Sequence, residues 1–409
     1  MTDASAPDAA LLPVQRALDL VLEHARPLAS QDVRLEAALG RYLAEPVVAA
    51  LDLPPFDNSA MDGYALRHVD APGELEVVGE SAAGAPFPGV LRAGQAVSIS
   101  TGAVLPPGAD AVAPIEWVQA ATPRSIRVPR PVPHDNSVRH AGSDVRCGDE
   151  VLPAGIRIGA PQIGVAASLG LQSLSCGRLP RVAVLATGSE LRPAGESLAP
   201  GQIYESNAPL LRAALTGAGA EVTVIPAVVD TREAHRAAIE QALEFDVALS
   251  TGGVSVGGHD LVREIERELG VQELFWRIAL KPGKPLSFGV CERPSGARTL
   301  VFGAPGNPVA VLVCFELFVR PALTALQGAA QPRPAYTRVR LATAIAQNAE
   351  RDEMIRVRLS ADGRAEPVRG QESHQLALSA LSDGLARIPL GNGTLAAGTE
   401  VDYLPLGGR

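Results

Sequence analysis

Lysine is almost missing from this 409-residue sequence: of 36 Lys and Arg residues only Lys281 and Lys284 are lysines, and both lie in the run KPGKP. Arginine serves almost everywhere else, so one loop has kept the compact, rotatable ammonium. A planar guanidinium does not replace it against a small tetrahedral anion. Basic charge is scarce overall, with a formal net charge of −9 and a pI near 5.4. That balance argues against the basic face of a nucleic-acid or membrane-surface binder, so any anionic ligand must be held by local features. Cys147, Cys176, Cys291 and Cys314 show no C-x-x-C spacing, which argues against a zinc ribbon or a disulfide framework; each reads as a small buried hydrophobe. Long hydrophobic runs are missing too. The most apolar one, Val309–Val319, carries Glu316, is too short to span a bilayer and reads as a buried helix. The first ten residues, MTDASAPDAA, have neither a basic n-region nor an apolar core, and read as a disordered lead-in to a cytoplasmic protein. With aromatics at 4%, Trp117 and Trp276 read as packing residues.

What is present is a globular composition, 46% hydrophobic and 20% charged, on a chain long enough for two to four domains. From Pro180 to about Gly328 strand and helix patterns alternate. RVAVLATG, EVTVIPAVV, DVALS, ELFWRIAL, LSFGV and TLVFGA read as strands. SNAPLLRAALTGAGA, TREAHRAAIEQALEF, LVREIEREL and NPVAVLVCFELFVRPALTAL read as helices. This order predicts a doubly wound, mostly parallel sheet covered on both faces, with ligands beyond the carboxyl ends of the strands. Before it, LPVQRALDLVLEHA and VRLEAALGRYLAEPV carry helical patterns, and a short helix is expected at Pro161–Gly170. Residues 51–141 are rich in Pro, Gly and Val and predict a small inserted β domain. After the QPRP linker, TRVRLATAI, MIRVRLS, LARIPL and EVDYLPL predict a small C-terminal β-barrel or sandwich.

One turn poses a chemical question. STGGVSVGGHD, Ser250 to Asp260, places four glycines between a strand and a helix, a setting in which bare amides approach an anion. Yet it ends on a carboxylate. TGSE (187–190), Asp230, KPGK (281–284) and GAPGNP (303–308) fall on the same edge of the expected sheet. Amide-rich turns, two lysines and the acids Glu190, Asp230 and Asp260 on one rim suit a phosphorylated ligand bridged to the acids by a hard cation such as Mg²⁺. In the inserted region FDNSAMDGYALR (56–67), STGAVLPPGAD (100–110) and RHAGSDVRCGD (139–149) are further loops rich in acids, hydroxyls and glycine.

These runs, with AGSDV, VLATGSEL, GQIYESN, LKPGKP and GAPGNPVA in this order, closely resemble the MoeA family of molybdopterin molybdenumtransferases, related to the insertase domain of gephyrin. The resemblance covers nearly the whole chain. It implies an elongated homodimer with the active site between subunits, and four parts per chain: a discontinuous helical domain (8–50 with 142–179), an inserted β domain (51–141), a Mog-like α/β molybdopterin-binding domain (180–328) and a C-terminal β-barrel (329–409). The implied reaction inserts molybdate into adenylylated molybdopterin with Mg²⁺, releasing AMP and molybdenum cofactor. An adenylyltransferase and downstream cofactor-handling proteins are the implied partners, with no nucleic acid and no membrane.

Carried over residue by residue, the resemblance implies a catalytic set of Asp62, Asp144, Glu190, Asp230, Asp260, Lys281 and Lys284. Glu190, Asp230 and Asp260 would hold the metal. Substrate would meet Thr101, Thr187, Gly188, Ser250, Gly252, Gly253, Ser255, Gly257, Pro285, Pro305, Gly306, Asn307, Arg356 and Ser373, with the lysines, Arg356 and Ser373 around molybdate. Asp62, Thr101 and Asp144 would reach the cleft of the other subunit. The chain departs from the family pattern at Ala304 and Ala310, where Leu and Ser are usual, and at Glu372, where glycine is common. His259 reads as a solvent-facing helix-start residue. Two other functions compete: an adenylyltransferase acting on molybdopterin, and a non-catalytic pterin-binding scaffold.

Overall fold

Three six-stranded sheets organise the chain, each with its own core. The computed structural model describes residues 11–188, 190–226, 231–252, 261–293 and 296–406.

The sheet of the α/β domain runs, in spatial order, Glu221–Ile225, Arg181–Ala186, Val247–Thr251, Arg298–Ala304, Ser287–Glu292 and Gln272–Trp276. The first four strands are parallel. Ser287–Glu292 runs antiparallel to both neighbours, because the short KPGKP connection can only return the chain beside the strand it left. Alternate side chains serve opposite faces, as a pleated strand requires. Val182 and Val184 join Leu249, Phe302 and the helices Asn207–Gly217 and Pro308–Leu326, whereas Ala183 and Leu185 join Val301 and the helices Arg232–Ala242 and Leu261–Glu268. Helices cover both faces, as expected. The apolar run near residue 309 belongs to a 19-residue helix, Pro308–Leu326, long and apolar enough to cross a membrane; 83% of its most apolar 18-residue stretch is buried inside the protein, which makes it a core helix.

The N-terminal readings divide. Val14–His24 is a helix whose buried face, Ala17, Leu18 and Val21, joins the α/β core. The second helical pattern is not a helix. Ser30–Arg34 pairs antiparallel with Ser173–Gly177, a single turn follows at Leu35–Ala37, and Val47–Val48 pairs with Glu150–Leu152. Its apolar spacing predicted a buried stripe, but Leu39 is 66% exposed; strand pairing with the returning segment outweighs local propensity. Those segments share a separate core of Val33, Leu43, Leu152, Ile158 and Cys176 with the helix Ala160–Ser168. The expected 8–50 unit is thus split between two cores.

Residues 58–139 form the inserted β domain, a sheet packed on both faces: Ala111 and Ala113 turn to one cluster, Val112 to the other. The C-terminal sheet closes on itself. Asp352–Leu359, Gly384–Ile388, Glu400–Pro405 and Thr337–Arg340 pair in sequence. Ala365–Pro367 pairs with the first of these and is bridged to Leu341 at the end of the last. That one bridge completes the ring. Cys176, Cys291 and Cys314 are buried, but Cys147 is exposed, contrary to its reading as a buried hydrophobe. Both tryptophans pack under guanidinium groups, Trp117 under Arg130 and Trp276 between Arg263 and Arg277.

Candidate active site

Loops from distant parts of the sequence meet at the carboxyl ends of the parallel strands. Thr187, next after its strand, donates both its backbone N–H (3.1 Å) and its hydroxyl (3.2 Å) to the carbonyl of Thr251. Gly252 adopts φ +85°, and a Cβ there would lie 2.6 Å from the Thr187 carbonyl oxygen. Only glycine permits both. A Cβ on Gly306 would stand 3.9 Å from the Gly252 Cα, so the third loop lies against the second. Asn207, at the start of its helix, donates from Nδ2 to the Gly306 carbonyl at 2.8 Å. Among the described residues its Oδ1 is buried without a hydrogen-bond partner. Glu190 is exposed, and its carboxylate curls back over Gly188, where a Cβ would meet either oxygen at 2.7 Å. Glu190 makes no ion pair among the described residues. Its exposed oxygens offer the hard donors that Mg²⁺ takes. Asp230, Gly253, Ser255, Gly257, His259 and Asp260 lie outside the described residues.

The lysine loop is held from two sides. Leu280–Lys281 pairs in parallel with Asp352–Glu353 of the barrel, while Ala279 donates its N–H to the Leu12 carbonyl at 2.8 Å. Lys281 is half-exposed, and its Nζ stands 2.7 Å from Oε1 of Glu353. Asn348 Nδ2 reaches the same oxygen at 3.4 Å. Gly283 has φ +129°, and a Cβ on it would be 2.9 Å from Leu280 Cδ2 and 3.0 Å from Cys314 Sγ; the loop thus rests directly on the buried helix Pro308–Leu326. Lys284 and Pro285 are partly buried, and Lys284 forms no ion pair among the described residues.

Arg356 departs from its expected role. It is 1% exposed. Nη1 donates to the Gln375 carbonyl (2.6 Å) and to Ser379 Oγ (3.2 Å), and Nη2 to the carbonyls of Gly370 (2.6 Å) and Glu372 (3.2 Å). Burial lowers its pKa. With its donors committed to the 370–379 loop it holds that loop rather than facing an anion. Ser373, carried on the loop, does meet the rim: its Oγ accepts from Asn307 Nδ2 at 2.8 Å, and its carbonyl accepts from Val309 N–H at 3.2 Å. Ser250 is a second correction. It is 4% exposed inside its strand, with its hydroxyl turned to the Phe302 carbonyl. Pro305 is also buried, leaving Gly306 and Asn307 as the exposed part of their loop.

In the inserted domain, Asp62 Oδ1 accepts from the Thr101 N–H (2.7 Å) and hydroxyl (3.1 Å), joining two of the expected residues. Asp144 is exposed on the neighbouring turn, its N–H donated to the Leu53 carbonyl. Among the described residues no hydrogen bond or ion pair links Asp62, Thr101 or Asp144 to the α/β rim. Sequence reasoning missed Glu353; its only signal was that two isolated lysines need an acid near them. Asn207 was legible only as part of the helix pattern SNAPLLRAALTGAGA. A cavity of about 740 Å³ opens beside the rim, lined by Ala186, Leu191, Glu205, Ala208, Arg212 and Pro226 among others. It is mostly apolar with charged groups at its border, the usual make-up of a small-molecule pocket.

Comparison with known proteins follows the same division. Residues 12–170 match the MoeA N-terminal region (domain I and II), 183–325 a probable molybdopterin binding domain, and 338–406 the MoeA C-terminal region (domain IV). A molybdopterin molybdenumtransferase of Nostoc sp. is 37% identical over 387 residues, covering 91% of this chain and 88% of the relative. Molybdopterin molybdenumtransferase 2 of Mycobacterium tuberculosis is 34% identical over 408 residues, covering 96% and 98%. The crystal structure of the molybdopterin biosynthesis moeA protein from Pyrococcus horikoshii OT3 superposes with a TM-score of 0.84 at 30% identity, over 97% of this chain and 100% of that one.

Proposed function

We infer the chemistry of the rim from one established relation: the chain belongs to the molybdopterin molybdenumtransferase family. It is an enzyme of molybdenum cofactor biosynthesis that inserts molybdenum into molybdopterin. The finer reading is that the acceptor is adenylylated molybdopterin, that molybdate is the metal donor, and that AMP leaves.

The observation that carries this reading is the placement of Lys281. Backbone pairing fixes it at the seam between sheet and barrel, and the strand order puts its loop at the same edge as Gly252 and Gly306. A tetrahedral dianion arriving there meets ammonium groups from Lys281 and Lys284 and hydroxyl and amide groups from Ser373 and Asn307. Charge-assisted contacts of this kind gather the anion and hold it in line with its acceptor. The Gly252 and Gly306 turns present backbone amides to phosphate oxygens, and the adjoining cavity has the size and apolar lining for a ring system. Mg²⁺, which Glu190 with Asp230 and Asp260 would hold, would neutralise charge on the departing phosphate. No covalent protein nucleophile is required. Asp62, Thr101 and Asp144 complete the cleft from a second copy of the chain, which fits their lack of a hydrogen bond or ion pair to the rim among the described residues.

The test uses the purified full-length protein with adenylylated molybdopterin, Mg²⁺ and molybdate. AMP release that depends on molybdate and falls at least tenfold in Lys281→Ala, with nucleotide binding retained, is the expected result. Pyrophosphate formed from molybdopterin and ATP would instead identify an adenylyltransferase. Molybdate-independent AMP release by wild type and variant alike would remove the lysine from the reaction.

A further inference from the structure

The inserted β domain carries a polar cluster that the insertion reaction does not use. His68 lies in a turn, Asp110 precedes the strand Ala111–Pro114, and His134 sits in the loop before Val138–Arg139. Three separate stretches thus bring their candidate ligand atoms within 4.8 Å of one another. Asp110 is held from behind: one carboxylate oxygen accepts the His68 backbone N–H at 2.6 Å, and the other stands 2.7 Å from His68 Nδ1. Two ligands bonded at about 2.0–2.2 Å to one tetrahedral ion stand roughly 3.3–3.6 Å apart. The imidazole and carboxylate now share a hydrogen bond, and they need to separate by under about 1 Å, with loss of the shared proton, to take one ion between them.

The third group is set up in the same sense. The His134 ring meets that of His68 edge-on, with centroids 5.1 Å apart. Its Nδ1 is 2.9 Å from Asp135 Oδ2, which fixes the tautomer and leaves Nε2 for an ion; an outer carboxylate commonly orients a metal-binding imidazole in this way. Asp135 is itself anchored, its N–H donating to the Asp110 carbonyl at 2.9 Å and its other oxygen 3.3 Å from His140 Nε2. A lone His–Asp hydrogen bond would need neither the third segment nor a second imidazole braced by its own carboxylate.

We propose that His68, Asp110 and His134 bind a divalent transition ion of the zinc class, with Asp135 as the brace behind His134. Two imidazoles and one carboxylate suit Zn²⁺ or Co²⁺ rather than Mg²⁺, which takes oxygen donors and keeps its water. Three protein ligands leave a coordination position for water. The ion staples the turn at His68 and the loop at His134 to the edge of the central sheet.

Cobalt(II) is the probe, titrated into the full-length protein after chelator treatment, with saturating Mg²⁺ present to occupy the acidic rim of the α/β domain. The expected result is a d–d absorption band of an imidazole-bound ion, saturating near one equivalent per chain and abolished by Zn²⁺. His134→Gln and His68→Gln weaken cobalt binding by about tenfold or more, and His140→Gln leaves it near wild type. Zn²⁺ raises the melting temperature of the wild type but not of His134→Gln. His134 is 59% exposed, so its substitution leaves the fold intact, which the metal-free melting temperature verifies. A wild-type spectrum showing only oxygen-bound cobalt, or equal uptake by His134→Gln, overturns the proposal.

Discussion

The ammonium of Lys281 stands 2.7 Å from the carboxylate of Glu353, and the two residues are also backbone neighbours across a parallel strand pair. One of the two lysines in the chain therefore rests against an acid contributed by another domain. Any anion that uses Lys281 competes with Glu353 for it.

That competition sets a measurable pattern. Lys281→Ala removes a charge-assisted contact, worth about 1.5–3 kcal/mol, and exposes the incoming dianion to an uncompensated Glu353; molybdate affinity should fall at least tenfold. Glu353→Gln should change it far less, and towards tighter binding, because a half-exposed ion pair contributes only about 0.2–1 kcal/mol. The double variant should bind better than Lys281→Ala alone. Calorimetric titration of molybdate across the four proteins reads the coupling; additive effects would mean that Glu353 does not act through Lys281.

Arg356 should behave as a holder of the 370–379 loop. Lysine cannot reproduce two forked nitrogens serving four acceptors, so Arg356→Lys should destabilise the protein by about 1–3 kcal/mol and raise hydrogen exchange across residues 370–379. Denaturant titration and exchange mass spectrometry check both. If Arg356→Lys keeps its stability and loses only molybdate affinity, the guanidinium meets the anion directly.

Asp246 gives the expected pH dependence. It is 2% exposed, accepts from Arg178 at 2.9 and 3.0 Å, and accepts the Arg181 N–H at 2.8 Å. Burial opposes ionisation, but the Arg178 and Arg181 contacts prevail and the folded pKa is lowered. A carboxyl that is more acidic when folded binds fewer protons than in the unfolded chain. Its contribution is therefore complete above the unfolded value of about 3.9 and is lost as pH falls through the lower folded value. Asp246→Asn should cost about 3–5 kcal/mol at neutral pH by stranding Arg178, and should flatten the acid limb of stability measured by urea titration at several pH values. An unchanged acid limb would mean that Asp246 is not a source of that slope.

The α/β sheet was legible in the sequence because its strands and helices differ in period, and the rim followed because glycines, lysines and acids recur after successive strands. The pairing of Leu280–Lys281 with Asp352–Glu353 was not, since no local pattern announces a two-residue contact across seventy positions. The resemblance put Arg356 beside an anion, but a matched position does not reveal whether carbonyls have already claimed its donors. The resemblance that named Ser250 could not show that its hydroxyl lies inside the strand on the Phe302 carbonyl. The pattern at 33–47 misled because strand partners at 150–152 and 173–177 lie beyond any helical window.

The parallel pairing at residues 280–281 has a mechanical meaning. The segment bearing Lys281 is a strand of the barrel sheet, yet its chain continues directly into the hairpin whose near strand begins at Ser287, opposite Gly303. A tilt of the barrel relative to the α/β sheet would therefore carry an ammonium past the Gly252 and Gly306 turns. Barrel tilt and the position of that positive charge become a single movement, with the backbone as the lever.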